Sequence, residues 1–302
     1  MSEHHHGHHA HTSSATAPAH DHTHMDWSEM LPLLENGAEL QSPLYRRAAA
    51  WLGELVPAAG VRRVLDVGSG PGVLTCLLAE AFPYAEVVAV DATPELLERT
   101  RERARAASLG DRVTTLRAEL PDGIAGLGDA DLIWAADSLH HLGDQRGAVA
   151  GLAGLLRPGG LLAVVEGGLP TRRLPQDCGI GSPGLEARMD VAHAGWFGEM
   201  RAELPGAKED GDDWRGMLAG AGLLPSGTRS FLHDVPAPVT DAVRRQIVAG
   251  FARHRQSLGD RLSAEDRATL DRLLDPAEPL GLHRRADLFT LTARTVHTAR
   301  RG

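Results

Sequence analysis

Polar residues fill the first 24 positions, where His, Ser, Thr and Ala follow one another in "HHHGHHAH" and then "HDHTH" without an apolar period. Such a segment has nothing to bury and is expected to be disordered. From Trp27 the pattern changes. "DWSEMLPLLENGAEL" and "SPLYRRAAAWLGELV" carry apolar residues at helical spacing and predict two amphipathic helices. Between 61 and 167, apolar runs alternate with helical periods. "VRRVLDVG", "AEVVAVD", "RVTTLRAE", "ADLIWAAD" and "LLAVVEG" read as strands. "GVLTCLLAEAF", "PELLERTRERARAASL" and "QRGAVAGLAGLLRPGG" read as the helices between them. Buried strands joined by helices at this spacing imply a parallel sheet with right-handed crossovers.

The second half alternates less simply. "GLEARMDVAHAGWFGEMRAEL" predicts a helix with Leu185, Met189 and Trp196 on one side, and "DDWRGMLAGAGL" another. "GTRSFLHDV" and "DLFTLTARTVHTAR" alternate like strands that pair antiparallel at a sheet edge. The link of roughly fifty residues between them is too long to be idle. It holds two helix patterns: Val243, Ile247 and Phe251 repeat every fourth position, and "SAED" at 263–266 resembles a capping box ahead of Leu270, Leu273 and Leu274. The expected organisation is a tail at 1–24, N-terminal helices at 25–60, and one α/β domain at 61–302. A helical cap is expected from about 168–211 and 235–286.

Composition narrows the partners. The chain has 302 residues, 42% of them hydrophobic, and a formal charge of −9. No basic stripe is evident that would release counterions from a nucleic acid, and no apolar run is long enough to span a membrane. The first residues lack the apolar region of a signal peptide. Cys76 and Cys178 are the only cysteines, which suits a reducing compartment, so a cytoplasmic location is expected. The His-rich tail offers imidazoles to zinc, nickel or copper, but nothing fixes a geometry, and no resident metal is expected.

The chemistry concentrates in "VLDVGSGPG", residues 64–72, where the first strand turns into the first helix. A glycine-rich turn there lets a ligand's polar groups approach backbone N–H groups. The glycines fall at 68, 70 and 72, whereas the dinucleotide fingerprint needs one at 73, where Val73 stands. Asp66 adds a carboxylate that repels a pyrophosphate.

"LDVGSGPG", "VVAVDATPELL", "RAEL" after the third strand, "DLIWAADSLHHL" on the fourth and "LLRPGG" before the fifth resemble, in order, the motifs of the class I S-adenosylmethionine-dependent methyltransferase family. The resemblance covers roughly residues 40–235 and the final strand. It implies a Rossmann-like sheet of seven strands, mostly parallel with the last antiparallel, plus helical cap insertions, and S-adenosyl-L-methionine as cofactor. It also implies roles. Gly68, Ser69, Gly70 and Gly72 would wrap the methionine portion with Asp66 near its ammonium group. Asp91 would accept from the ribose hydroxyls. Ala92, Thr93 and Glu119 would meet adenine, though the family more often has Asp at the last of these. Ala135 would lie near the sulfonium, and Arg46 would meet the donor carboxylate.

The acceptor is left open by the sequence. "AADS" is not the N-P-P-[YF] of enzymes that methylate nucleic-acid amines, so a small molecule or short peptide is expected, handled by a monomer or homodimer. O-methylation is favoured, with N- and C-methylation close behind, in a bacterial specialised-metabolism setting. A base is needed only when the acceptor carries a proton at neutral pH. His140 and His141 follow the fourth strand. If "SLHHL" begins a helix, each lies about 130° from the centre of its buried side, in opposite directions, so the wheel leaves both open; His140 is nearer the strand end. Glu166, ending the fifth strand, is placed to orient a histidine or contact the acceptor. Tyr45, Arg188, Trp196 and Arg201 are candidate acceptor contacts, the arginines as forks for a carboxylate. Rival readings are aminopropyl transfer from the same donor, or a non-catalytic cofactor-binding protein with a metal-binding tail.

Overall fold

The computed structural model describes residues 27–208 and 211–302, so the His-rich tail lies outside the described residues. The chain opens with one helix, α1 (Trp27–Leu55), rather than two: it runs through Pro32 and Pro43. Pro43 removes one backbone donor, but Leu44, Ala48 and Leu52 beyond it are fully buried along one face, and that packing carries the helix across.

Strands and helices then alternate: β1 (Arg63–Val67), α2 (Val73–Ala81), β2 (Glu86–Asp91), α3 (Pro94–Ala106), β3 (Val113–Arg117), β4 (Ala130–Ala136), α4 (Gln145–Gly154) and β5 (Leu156–Arg172). The rest comprises α5 (Leu185–Ala202), α6 (Trp214–Gly220), β6 (Leu224–Val235), α7 (Asp241–Leu258), α8 (Ala264–Leu274) and β7 (Thr290–Arg300). The seven strands form one sheet in the order β3-β2-β1-β4-β5-β7-β6. Neighbours from β3 to β5 pair parallel, and β7 runs antiparallel to both β5 and β6. This is the expected α/β architecture. "LLRPGG" departs from expectation: it opens β5 and does not close a helix, because Leu156 already pairs with Ala130.

Alternate residues of each central strand feed two cores. Val64, Trp134, Ala163 and Val165 pack with Leu44, Leu52 and Phe82 under α1 and α2. Leu65, Ile133, Leu162 and Val164 pack with Val149, Leu152, Trp214 and Leu218 under α4 and α6. Burial on both faces is why these strands read as apolar runs without alternation. A third core belongs to the cap: Leu185 and Met189 of α5, Ile247 and Phe251 of α7, and Leu270 and Leu273 of α8. β5 outruns the parallel sheet and carries its pairing with β7 past Glu166. Val165 faces Val296 and Gly168 faces Arg294, so β5 holds one residue more than β7 between them, a bulge beside Glu166. Gly168 sits at φ 121°, and a Cβ there would lie 2.2 Å from the Ala293 carbonyl oxygen.

Candidate active site

Strand order reverses between β1 and β4, and the crevice outside their carboxyl ends is where open α/β sheets hold ligands. Four segments meet at that edge. In the turn after β1, the N–H groups of Gly68 and Ser69 donate to the Val90 carbonyl at 2.9 and 3.0 Å. Gly68, Gly70 and Gly72 all have positive φ, but they serve different ends. A Cβ on Gly68 would fall 2.4 Å from Ser138 Cβ, and one on Gly72 would fall 2.6 Å from Thr100 Oγ1. Those two glycines let protein pack on the turn. A Cβ on Gly70 would meet nothing within 4 Å, so this residue faces open space. Beside it the Ser69 hydroxyl is buried without a hydrogen-bond partner. An open glycine next to an orphaned donor is what a polar ligand laid along the turn requires.

Asp91 ends β2 and pins this turn. Its Oδ2 accepts from Gly70 N–H at 3.0 Å and its Oδ1 from Thr93 N–H at 2.9 Å. Each oxygen keeps a lone pair for a ligand hydroxyl. Ala92 is exposed at the same edge, and its carbonyl accepts from Arg117 Nε at 3.1 Å. Glu119 is exposed on a cleft that it shares with Leu116 and Arg117. Asp66 differs from expectation. It is 1% exposed beneath the turn, where its Oδ2 accepts from Thr75 Oγ1 at 2.6 Å. Burial pushes its carboxyl up to about 7, against the Thr75 bond and with help from the Asp91 charge. It supports the turn from inside the protein and does not line the open edge.

After β4 the expected helix at "SLHHL" is a short 3-10 turn, Leu139–His141, and α4 starts only at Gln145 behind the Asp144 cap. The reason is Glu166, 3% exposed at the bulge of β5. Its Oε1 accepts from the N–H groups of Ser138, Leu139 and His140 at 3.2, 3.0 and 3.3 Å. Its Oε2 lies 2.7 Å from His140 Nδ1. One carboxylate thus folds the turn and orients the imidazole. Burial alone would lower the His140 pKa, but the hydrogen bond and charge of Glu166 outweigh it and the net direction is up. His141 lies beside it, its ring tilted by 48° with centroids 4.1 Å apart, and Phe197 of α5 closes on both.

The other wall joins Tyr45, expected at the acceptor, to Asp137 and Arg294. Asp137 sits at φ 47°, and its Oδ2 receives the Tyr45 hydroxyl at 2.8 Å and Arg294 Nε at 3.4 Å. Burial and the Asp137 charge raise the Tyr45 pKa, so its hydroxyl stays a donor. Tyr45 therefore stands at the site, with Trp134 edge-on to its ring.

Ala135 is fully buried in β4 between Val67 and Val164, its side chain inside the core. Arg201 comes close enough for its charge to oppose protonation of His140, and pairs with Asp212 at 3.6 Å. Trp196 packs on the cap core beside His193. Two expectations fail on geometry. Arg46 pairs with Glu80 at 2.5 Å near the far end of α2, away from the glycine turn. Arg188 spends its guanidinium on Asp266 of α8, at 2.7 Å, and on the Ser182 and Pro183 carbonyls. The capping box is correspondingly half made: Ser263 Oγ accepts from Asp266 N–H at 3.0 Å while the Asp266 carboxylate turns to Arg188.

A reversed strand order, a glycine turn on β1 and an acid closing β2 define a nucleoside-cofactor α/β fold of the methyltransferase kind. Residues 65–162 match the family profile of a methyltransferase domain. A trans-aconitate 2-methyltransferase of Methylobacterium radiotolerans is 38% identical over 159 residues, 51% of this chain and 58% of the relative. An uncharacterized methyltransferase of Mycobacterium tuberculosis is 41% identical over 125 residues, 41% of this chain and 59% of the relative. The solved structure of an O-methyltransferase family protein from Burkholderia thailandensis aligns at 24% identity and TM-score 0.45, over 64% of this chain and 53% of that one. The chain thus spans somewhat over half the length of these relatives.

Proposed function

We propose that this protein transfers a methyl group from S-adenosyl-L-methionine to a hydroxyl oxygen of a small molecule. The observation that carries the reading is the His140–Glu166 pair, set at the carboxyl end of β4 beside the glycine turn. The open Gly70 edge, the orphaned Ser69 hydroxyl and the free lone pairs of Asp91 fit the donor's amino-acid and ribose ends. Ala92, Thr93 and Glu119 flank the place left for its base. When bound, the donor supplies an electrophilic methyl on its sulfonium.

The chain's own residues do the rest. In-line attack needs a positioned, deprotonated oxygen. Glu166 holds the Nδ1–H of His140, which leaves Nε2 as the basic nitrogen for the hydroxyl proton. Glu166 also stabilises the imidazolium that results, so the proton is held where it was taken. Phe197 and Tyr45 narrow the approach. The test is methyl transfer from isotopically labelled donor to hydroxylated and carboxylated acceptors, trans-aconitate among them. A hydroxyl acceptor should lose activity in His140→Ala, with donor affinity kept. An unchanged rate in that variant would remove the base from the mechanism. A carboxylate acceptor is already ionised at neutral pH and would need no such base.

A further inference from the structure

Beyond the carboxyl edge of the sheet, between α1, the ends of β6 and β7, and α7, lies a cavity of about 70 Å³. That is several times the ~10–15 Å³ one water requires. Among its described lining residues the ionisable ones are Arg173 and His233, with no carboxylate; Gln41, Gln246 and Thr292 add hydrogen-bonding groups and Ile247 an apolar wall.

Two features leave this cavity unsatisfied by the protein itself. The Arg173 guanidinium, only partly exposed, reaches Glu186 at 3.8 Å, longer than a hydrogen bond. Both Glu186 oxygens are already engaged by the Arg173 N–H, at 3.1 and 3.0 Å, and one also accepts from the Leu174 N–H at 3.1 Å. A half-desolvated cation without a hydrogen-bonded counter-ion is costly, and a matching anion offsets that cost. The second feature is the Gln41 carboxamide oxygen, buried with no partner; being an acceptor, it calls for a donor group on the ligand beside the anion that Arg173 takes.

The cavity is also joined to the candidate active site. Thr292 lines it, and Thr292 Oγ1 accepts from Arg294 Nη1 at 3.3 Å. Arg294 Nε in turn reaches Asp137, which opens the turn carrying His140. Gln41 lies one helical turn before Tyr45 on α1.

We propose that this cavity anchors a carboxylate carried by the acceptor at a distance from the oxygen that is methylated, with Arg173 as the fork that receives it. A planar guanidinium with free donors matches a carboxylate bidentately, and the cavity admits the group with a short apolar stem against Ile247. The acceptor class is then a hydroxylated small organic acid. This rests on the methyltransferase reading for its meaning, though not for its measurement.

The test is calorimetric titration of the full chain with glutarate and with tricarballylate as probes, in the presence of S-adenosylhomocysteine. Wild type should bind at least one probe, Arg173→Gln should weaken that binding by about ten-fold or more, and Arg173→Lys should restore part of it. Affinity for S-adenosylhomocysteine should stay within about two-fold in every variant. Because Arg173→Gln could disturb Glu186, the pair Gln41→Leu and Gln246→Leu, which leaves the ion pair intact, should also weaken the probe, by about three-fold. Failure of wild type to bind either acid, or equal affinity in Arg173→Gln, overturns the proposal. If the probes bind as expected but S-adenosylhomocysteine does not bind wild type, the donor reading fails and the anion site stands.

Discussion

Glu166→Gln is the most informative single substitution, because one carboxylate does two jobs that its amide cannot do together. The amide oxygen can keep the three N–H groups of the turn. Its NH₂ then faces His140 Nδ1, now a donor against a donor. The imidazole must flip tautomer, accept at Nδ1 and carry its proton on Nε2, where the acceptor's proton should go. A hydrogen bond to a charged group contributes about 1.5–3 kcal/mol. At roughly 1.4 kcal/mol per pH unit, its loss should lower the His140 pKa by about one to two units. The ring's NMR titration reads this without any acceptor. In wild type the pKa is raised, so kcat/KM for a hydroxyl acceptor should fall as pH drops through a value above about 6.5. The variant's plateau should sit about 10²–10⁴-fold lower, the range for losing a general base. The linkage runs the same way. The pair's contribution to stability is complete below the unfolded pKa and is lost as pH rises through the folded one. An unmoved His140 titration in Glu166→Gln would refute the reasoning, whatever happened to the rate.

Asp91→Ala should lower S-adenosylhomocysteine affinity by about a hundred-fold or more by calorimetry. It should also cost about 1–3 kcal/mol in denaturant melts, because the Gly70 and Thr93 N–H groups lose their acceptor. Gly68→Ala combines a left-handed backbone with a Cβ driven into Ser138, so a loss of about 2–5 kcal/mol is expected in thermal unfolding. Arg188→Ala should destabilise by about 1–3 kcal/mol through the Asp266 pair while the acceptor KM stays unchanged; a KM effect without a stability effect would return Arg188 to the acceptor.

What was legible in the sequence depended on how local its cause is. The five parallel strands and the glycine turn follow from apolar runs and a spacing within nine residues, so order and chemistry could be read together. Asp91 was legible for the same reason. The turn at 139–141 was not, because its shape is set by Glu166, 26 residues onward across a strand pair. A helical wheel there measured the wrong object. Arg188 read as a free fork because its partner Asp266 lies 78 residues away and itself resembled a cap residue. The two helices read on either side of residue 41 are one, because burial of Leu44 and Leu52 carries α1 through Pro43. Arg173 and Arg294 were two of about thirty arginines, and only the fold places them at a cavity and a site.

β7 acts as a ruler between those two places. Thr292, Arg294 and Val296 share one face through the two-residue period of the strand, with Thr292 at the cavity, Arg294 at Asp137 and Val296 in the core. Sliding the strand by one residue would turn all three away at once. The spacing from acid anchor to reacting oxygen therefore cannot drift by a single insertion within 290–296. Lineages that alter the acceptor's length must do so by substitution in place or through α1 and α7.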